Sequence, residues 1–180
     1  PAIVDTDGPG GKPYTVIESG AILIYLAEKT GKFLPKDPAK RYDTIQWLMV
    51  QMANLGPMCG QLVHFSKFCP PGQDYGHARY RSQVNALFDL YNDRLASQPY
   101  VAGDEYTIAD MAAFPWLRNI GLLAMDLSKR PHLKAWIDRI EARAPVKRAL
   151  ATIATVKSIR DTATDDQRDR FFARGKYARA

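Results

Sequence analysis

The chain has 180 residues, 46% hydrophobic and 24% charged, with a net charge of +6. This is the balance of an ordinary globular protein with one sizeable core or two small ones, not of a fibrous or disordered chain. No run of about 18 apolar residues exists, which argues against a membrane-spanning helix, and no signal-peptide pattern is visible.

Pro1 opens the chain inside an apolar, strand-like run, PAIVD. A two-stranded hairpin is marginal alone, so the expectation is that a further segment precedes Pro1. AIVD (2–5) and YTVI (14–17) read as antiparallel strands joined by the Gly/Pro-dense TDGPGGKP. Ile22, Leu23, Leu26 and Ala27 then recur at helical spacing over 19–30, with Gly31 as the C-terminal stop. Lys29 is expected to serve the negative end of that helix. FLPKDP (33–38) reads as a linker.

Beyond the linker no convincing strand remains. Residues 39–67 carry Trp47, Leu48, Val50, Gln51, Leu55 and Leu62 in a long periodic stretch, which Gly56-Pro57 is expected to bend. CPPGQ (69–73) closes it. Further helices are predicted over 75–97, 107–123 and 131–143, with a short one over 145–152 and irregular structure past about 160. Cys59 and Cys69, ten residues apart, fit neither a Cys-x-x-Cys redox pair nor a metal cluster. They read as buried or incidental thiols, and so low a count fits a reducing cytosol.

YTIADM (106–111) holds several helix-start signals at once. Thr107 suits the N-cap, and Asp110 can accept from the Thr107 N–H in a capping box with Asp in place of Glu. That spacing makes Asp110 a cap and not a catalytic carboxylate. Pro115 falls beyond the first turn of the same helix and predicts a kink. The late basic residues Lys157, Arg160, Arg168, Arg170, Arg174, Lys176 and Arg179 face Asp161, Asp165, Asp166 and Asp169. They read as a solvated tail, since no zinc spacing or nucleic-acid motif accompanies them.

The most informative stretch is YTVIESGAILIYLAEKTGKFLP (14–35), where a strand meets a helix through Glu18-Ser19-Gly20 with no loop. A helix start carries unpaired N–H groups and about half a positive charge. Ser19 can donate to an anion from backbone and hydroxyl, Gly20 keeps the approach open, and Glu18 can accept from a cation. The pair therefore suits the zwitterionic end of a ligand. On spacing alone, Ser19 as a plain cap and Glu18 as a dipole partner fit as well.

PAIVD, the Gly/Pro turn and YTVIESGAILIYLAEKTGKFLP together resemble the glutathione transferase family from its third strand onward. VAGDEYTIADMAAFPW resembles the capped helix of that family's helical domain. WLMVQMANLGPMCGQLVHF and HARYRSQV are most similar to the bacterial nu class, some members of which reduce disulfides with glutathione. The resemblance covers nearly all of residues 1–150. It implies an α/β thioredoxin-like domain, of which only the C-terminal hairpin and helix are present (1–33), a linker (34–40), an all-helical C-terminal domain (41–155) and a basic, irregular tail (156–180).

It further implies a cytoplasmic homodimer that uses glutathione as co-substrate, without metal, membrane or nucleic acid. Glu18 and Ser19 match the pair holding the γ-glutamyl amino and carboxylate groups. Pro1 matches the family's cis-proline, and Arg79 a nu-class arginine reaching glutathione from the facing subunit. By residue type alone Arg79 reads as a solvated helix position. Met58, Gln61, His64 and Phe65 are the expected second-substrate wall, although a lone His in an apolar helix and Met or Phe at helical spacing are also ordinary packing residues. The family's thiol-activating turn lies before Pro1, so no catalytic residue is expected within these 180 residues, and alone they are expected to bind glutathione poorly. The alternative is a non-catalytic glutathione transferase-like interaction module. Its basic tail would suit a partner, but it would not need an intact Glu18-Ser19 pair.

Overall fold

A computed structural model describes residues 1–157 and 162–178. Strands β1 (Ala2–Asp5) and β2 (Tyr14–Ile17) pair antiparallel, with Ala2 opposite Ile17 and Asp5 opposite Tyr14. Helix α1 (Ser19–Thr30) follows β2 directly. It ends where the αL residue Gly31, at φ 66°, lets the Lys32 N–H return to the Ala27 carbonyl at 3.1 Å. Lys29 lies in the last turn of α1, as expected, and its side chain also reaches back to the hairpin. It bonds the Asp5 carboxylate and the Asp7 carbonyl, and the Tyr25 hydroxyl donates to the same Asp5 carboxylate at 2.6 Å.

Asp37 caps α2 (Pro38–Val50) by accepting from the Lys40 N–H at 3.0 Å, and Pro38 sits at the first helical position. The linker is strapped to the helical part where the Ile108 N–H donates to the Phe33 carbonyl at 3.0 Å. α2 runs without a break through a π-helical turn (Gln51–Leu55) into α3 (Gly56–Lys67). The disturbance expected at Gly56-Pro57 is therefore a widened turn just upstream of it. Pro57 has no N–H for the carbonyl four residues back and its ring would crowd it. The ladder shifts to i→i−5 spacing, with the Gly56 N–H on the Gln51 carbonyl.

α4 (Asp74–Arg94) packs against α3, and Gly76 makes the close approach possible: a Cβ there would lie 2.3 Å from Cε1 of Phe65. The helix predicted over 107–123 is two helices, α5 (Ile108–Leu117) and α6 (Ile120–Leu123). α5 continues two residues past Pro115 and stops at Arg118, where the Asn119 side chain donates to the Pro115 carbonyl at 2.8 Å. α7 (Pro131–Glu141) and α8 (Ala144–Thr155) come next in the chain.

Past residue 160 the structure corrects the expectation of irregular chain with α9 (Asp165–Phe171). A reciprocal cap starts it: the Thr164 N–H donates to Gln167, and the Gln167 N–H to the Thr164 hydroxyl. The Thr-x-x-Gln signal was present in the sequence. Arg160, Asp161 and Arg179 of the basic tail lie outside the described residues. Residues 1–140 form one compact unit and residues 141–180 a second.

The core of the first unit is built from Leu48, Leu55, Cys59, Leu62, Val84, Phe88, Tyr91, Leu117, Leu133, Trp136 and Ile140, all essentially inaccessible. A second cluster of Ala27, Leu34, Leu48, Ile108 and Ala112, with Met52 packed on it, joins α1 and the linker to α2 and α5. Asp110 is fully buried as a cap. Its carboxylate accepts from the N–H groups of Val101 and Thr107, the Thr107 hydroxyl and the Trp136 indole N–H, at 2.9 to 3.2 Å.

Candidate functional site

The junction between β2 and α1 is built by one unusual residue. Glu18 adopts φ 67°, ψ 124°, a region that non-glycine residues rarely occupy. Its N–H donates to the Pro1 carbonyl at 3.2 Å and its carbonyl accepts from the Ile22 N–H at 2.9 Å. Glu18 is thus both the end of the hairpin ladder and the N-cap of α1, which is how the loop is dispensed with.

No side chain caps α1. The N–H groups of Ser19, Gly20 and Ala21 precede the first i→i−4 bond and lack an intrahelical acceptor. The reading of Ser19 as a plain side-chain cap is therefore not what the geometry shows, while Glu18 stands at the N-cap, beside the positive end of the helix. Ser19 is half-buried, Gly20 buried and Glu18 exposed. The Ser19 hydroxyl donates to the Met52 thioether at 3.8 Å.

The other expected residues are distributed over two helices. Met58, Gln61, His64 and Phe65 recur on α3 at three- and four-residue steps; Gln61 is exposed and the others half-buried. The Phe65 ring stacks on Tyr80 of α4 at 5.3 Å and meets His64 edge-on at 5.6 Å. Phe65 also borders a cleft of about 330 Å³ lined by Cys69, His77, Arg81 and Leu122, which the other three do not line. Arg79 is exposed on α4, and Pro1 is placed beside Glu18 by the hydrogen bond to its carbonyl.

Met52, which sequence reasoning did not single out, ties the junction to the long α2–α3 helix. The available signal was indirect: Pro57 inside a helical pattern marks a disturbed turn, and Gly20 after Ser19 marks a close approach. Burial pushes the Cys59 thiol up to about 12, so it stays an inert core residue. No group of three or more His, Cys, Asp or Glu side chains is placed to hold a metal among the described residues. No helix among them is long and apolar enough to cross a membrane.

Residues 57–144 match the glutathione S-transferase C-terminal domain. The chain is 42% identical over 151 residues to the disulfide-bond oxidoreductase YfcG of Escherichia coli K12, covering 83% of this chain and 70% of YfcG. It is 39% identical over 143 residues to the disulfide-bond oxidoreductase YghU of the same organism, covering 76% of this chain and 50% of YghU. Among solved structures, a glutathione transferase family member from Pseudomonas fluorescens with two glutathione bound superposes with a TM-score of 0.79 at 41% identity, over 83% of this chain and 69% of the other. The glutathione transferase from Burkholderia graminis, with two glutathione molecules per subunit, gives 0.77 at 42%, over 83% and 65%.

The chain belongs to the glutathione transferase family. Its architecture is part of a thioredoxin-like domain followed by the all-helical C-terminal domain.

Proposed function

We propose that the protein of which these residues are part is a glutathione-dependent transferase or disulfide-bond reductase of the nu type, and that Glu18 and Ser19 hold the γ-glutamyl end of glutathione. The observation that carries this reading is the junction itself, an uncapped helix start with a hydroxyl and a carboxylate at its tip. An α-carboxylate can take the open N–H groups and the Ser19 hydroxyl, and an α-amino group can pair with Glu18. Two relatives of about 40% identity are disulfide-bond oxidoreductases, and structural neighbours hold glutathione.

In this reading the reactive atom is glutathione's own sulfur. Its thiolate attacks one sulfur of a disulfide, forms a mixed disulfide and releases the other sulfur as a thiolate. A second glutathione thiolate then releases the remaining thiol and leaves glutathione disulfide. An electrophile would instead take the sulfur directly, and a peroxide would be reduced by the same thiolate. Met58, Gln61, His64 and Phe65 form the wall of the second-substrate site, and Arg79 reaches glutathione of the facing subunit in a cytoplasmic homodimer.

Isothermal titration of the protein as encoded in its gene tests the seat. Each of Glu18→Ala and Ser19→Ala should weaken glutathione binding about tenfold or more, the worth of a hydrogen bond to a charged group. Unchanged affinity in both variants would remove the main support and leave the non-catalytic module. Parallel assays of bis-hydroxyethyl disulfide reduction and aryl-halide conjugation test the subclass. Strong conjugation with negligible disulfide reduction would argue against the nu assignment.

A further inference from the structure

We propose that Met52 is a positioning residue for the glutathione seat, a wall that holds Gly20 and Ser19 in place by its shape; this rests on the role proposed for Glu18 and Ser19. A Cβ built on Gly20 would lie 3.0 Å from Sδ, 3.1 Å from Cγ and 3.4 Å from Cε of Met52. Three successive atoms of one side chain therefore lie flat against the glycine. The absence of a side chain at position 20 is what lets α1 lie directly against Met52, since a Cβ there would sit closer to it than ordinary packing allows. The Ser19 hydroxyl rests on the same sulfur at 3.8 Å.

Met52 is itself held. It packs on the cluster of Ala27, Leu34, Leu48, Ile108 and Ala112 and belongs to the π-helical turn Gln51–Leu55. The extra residue of a π turn rotates the helix upstream of it by about 100° relative to the helix downstream, one residue's share of a 3.6-residue turn. The register that Pro57 imposes therefore helps decide which side chain α1 meets. A thioether is a weak acceptor, so shape rather than the sulfur's lone pair does the holding. The open N–H groups at the start of α1 accept an anion only where their backbone is fixed, and Met52 fixes it.

The test is glutathione affinity, measured by titration calorimetry on the protein as encoded, with thermal melting alongside. Gly20→Ala should weaken binding severalfold, because its Cβ would lie 3.0 to 3.4 Å from Met52 and the two must part by a few tenths of an ångström. Met52→Ala should weaken binding about fivefold, and Met52→Leu, of similar volume, no more than about twofold. The double variant Gly20→Ala/Met52→Ala should lose less affinity than the product of the two single losses, because the second change makes room for the first. Met52→Val, which removes Sδ and Cε, carries the same comparison if Met52→Ala does not fold. Parent-like affinity in Met52→Ala, equal losses in Met52→Leu and Met52→Ala, or a double variant that simply multiplies the single losses would each overturn the proposal. A parent protein that binds no glutathione would instead overturn the functional reading on which it rests.

Discussion

At the scale of single residues, Glu18 carries the strain of the junction. A non-glycine residue held at φ 67°, ψ 124° stores of the order of 1–3 kcal/mol, retained only where the surroundings over-determine it. Glycine would relieve much of that strain but remove the carboxylate. Glu18→Gly is therefore expected to leave stability unchanged or raise it by about 1 kcal/mol, while glutathione affinity falls as in Glu18→Ala. Chemical denaturation and calorimetry of the one variant check both halves. A variant that lost stability and kept its affinity would show that Glu18 serves the fold and not the ligand.

At the scale of elements, two close contacts place the helices. Gly76 brings α4 onto α3 so tightly that an added Cβ would fall 2.3 Å from the Phe65 ring. Gly76→Ala must displace Phe65 from its stack on Tyr80 and is expected to cost about 1–3 kcal/mol, as overpacking does. Because Phe65 belongs to the proposed second-substrate wall, the KM for the disulfide should rise more than the Kd for glutathione. Asp110 is the other fixed point. Asp110→Ala strands the buried donors of Val101, Thr107 and Trp136 and is expected to cost about 3 kcal/mol or more, read from the midpoint of urea unfolding.

At the scale of the whole first unit, one ionic group adds a tether between the β-hairpin and α1. Hydrogen bonds from Lys29, from Tyr25 and from the Asp7 amide hold the Asp5 carboxyl down to about 2, from an ordinary value of 3.8. The ionised form is the one the fold favours. Its stabilisation is therefore fully present above pH about 4 and is lost as pH falls through about 2. Asp5→Asn should lower the melting temperature at pH 7 and flatten its decline between pH 4 and 2. The parent-minus-variant difference isolates Asp5 from the other acid-sensitive carboxylates, Asp126 and Asp166. A decline of equal slope in both proteins would show that the tether contributes nothing.

The sequence by itself determined the features that rest on neighbouring residues. The hairpin, the end of α1 at Gly31, the capping box at Thr107 and Asp110, and the helical remainder all come from short-range hydrogen bonding and periodicity. The abrupt junction at Glu18-Ser19 was equally legible, because a strand running into a helix without a loop is a local feature. The basic tail's α9 was legible too, in Thr164 and Gln167, but the surrounding charge obscured it. Only the tertiary structure decided the rest. Pro57 announces a disturbed turn, but whether the long helix kinks or widens into a π turn depends on the elements packed against it. Lys29 sits in the last turn of its own helix, and its bond to Asp5, 24 residues earlier, comes from the tertiary fold. Met52 looked like one more apolar residue in a periodic stretch. Its place against Gly20, far back in the chain, is set by the fold that brings α1 onto α2 and the π turn, and no local pattern encodes that contact.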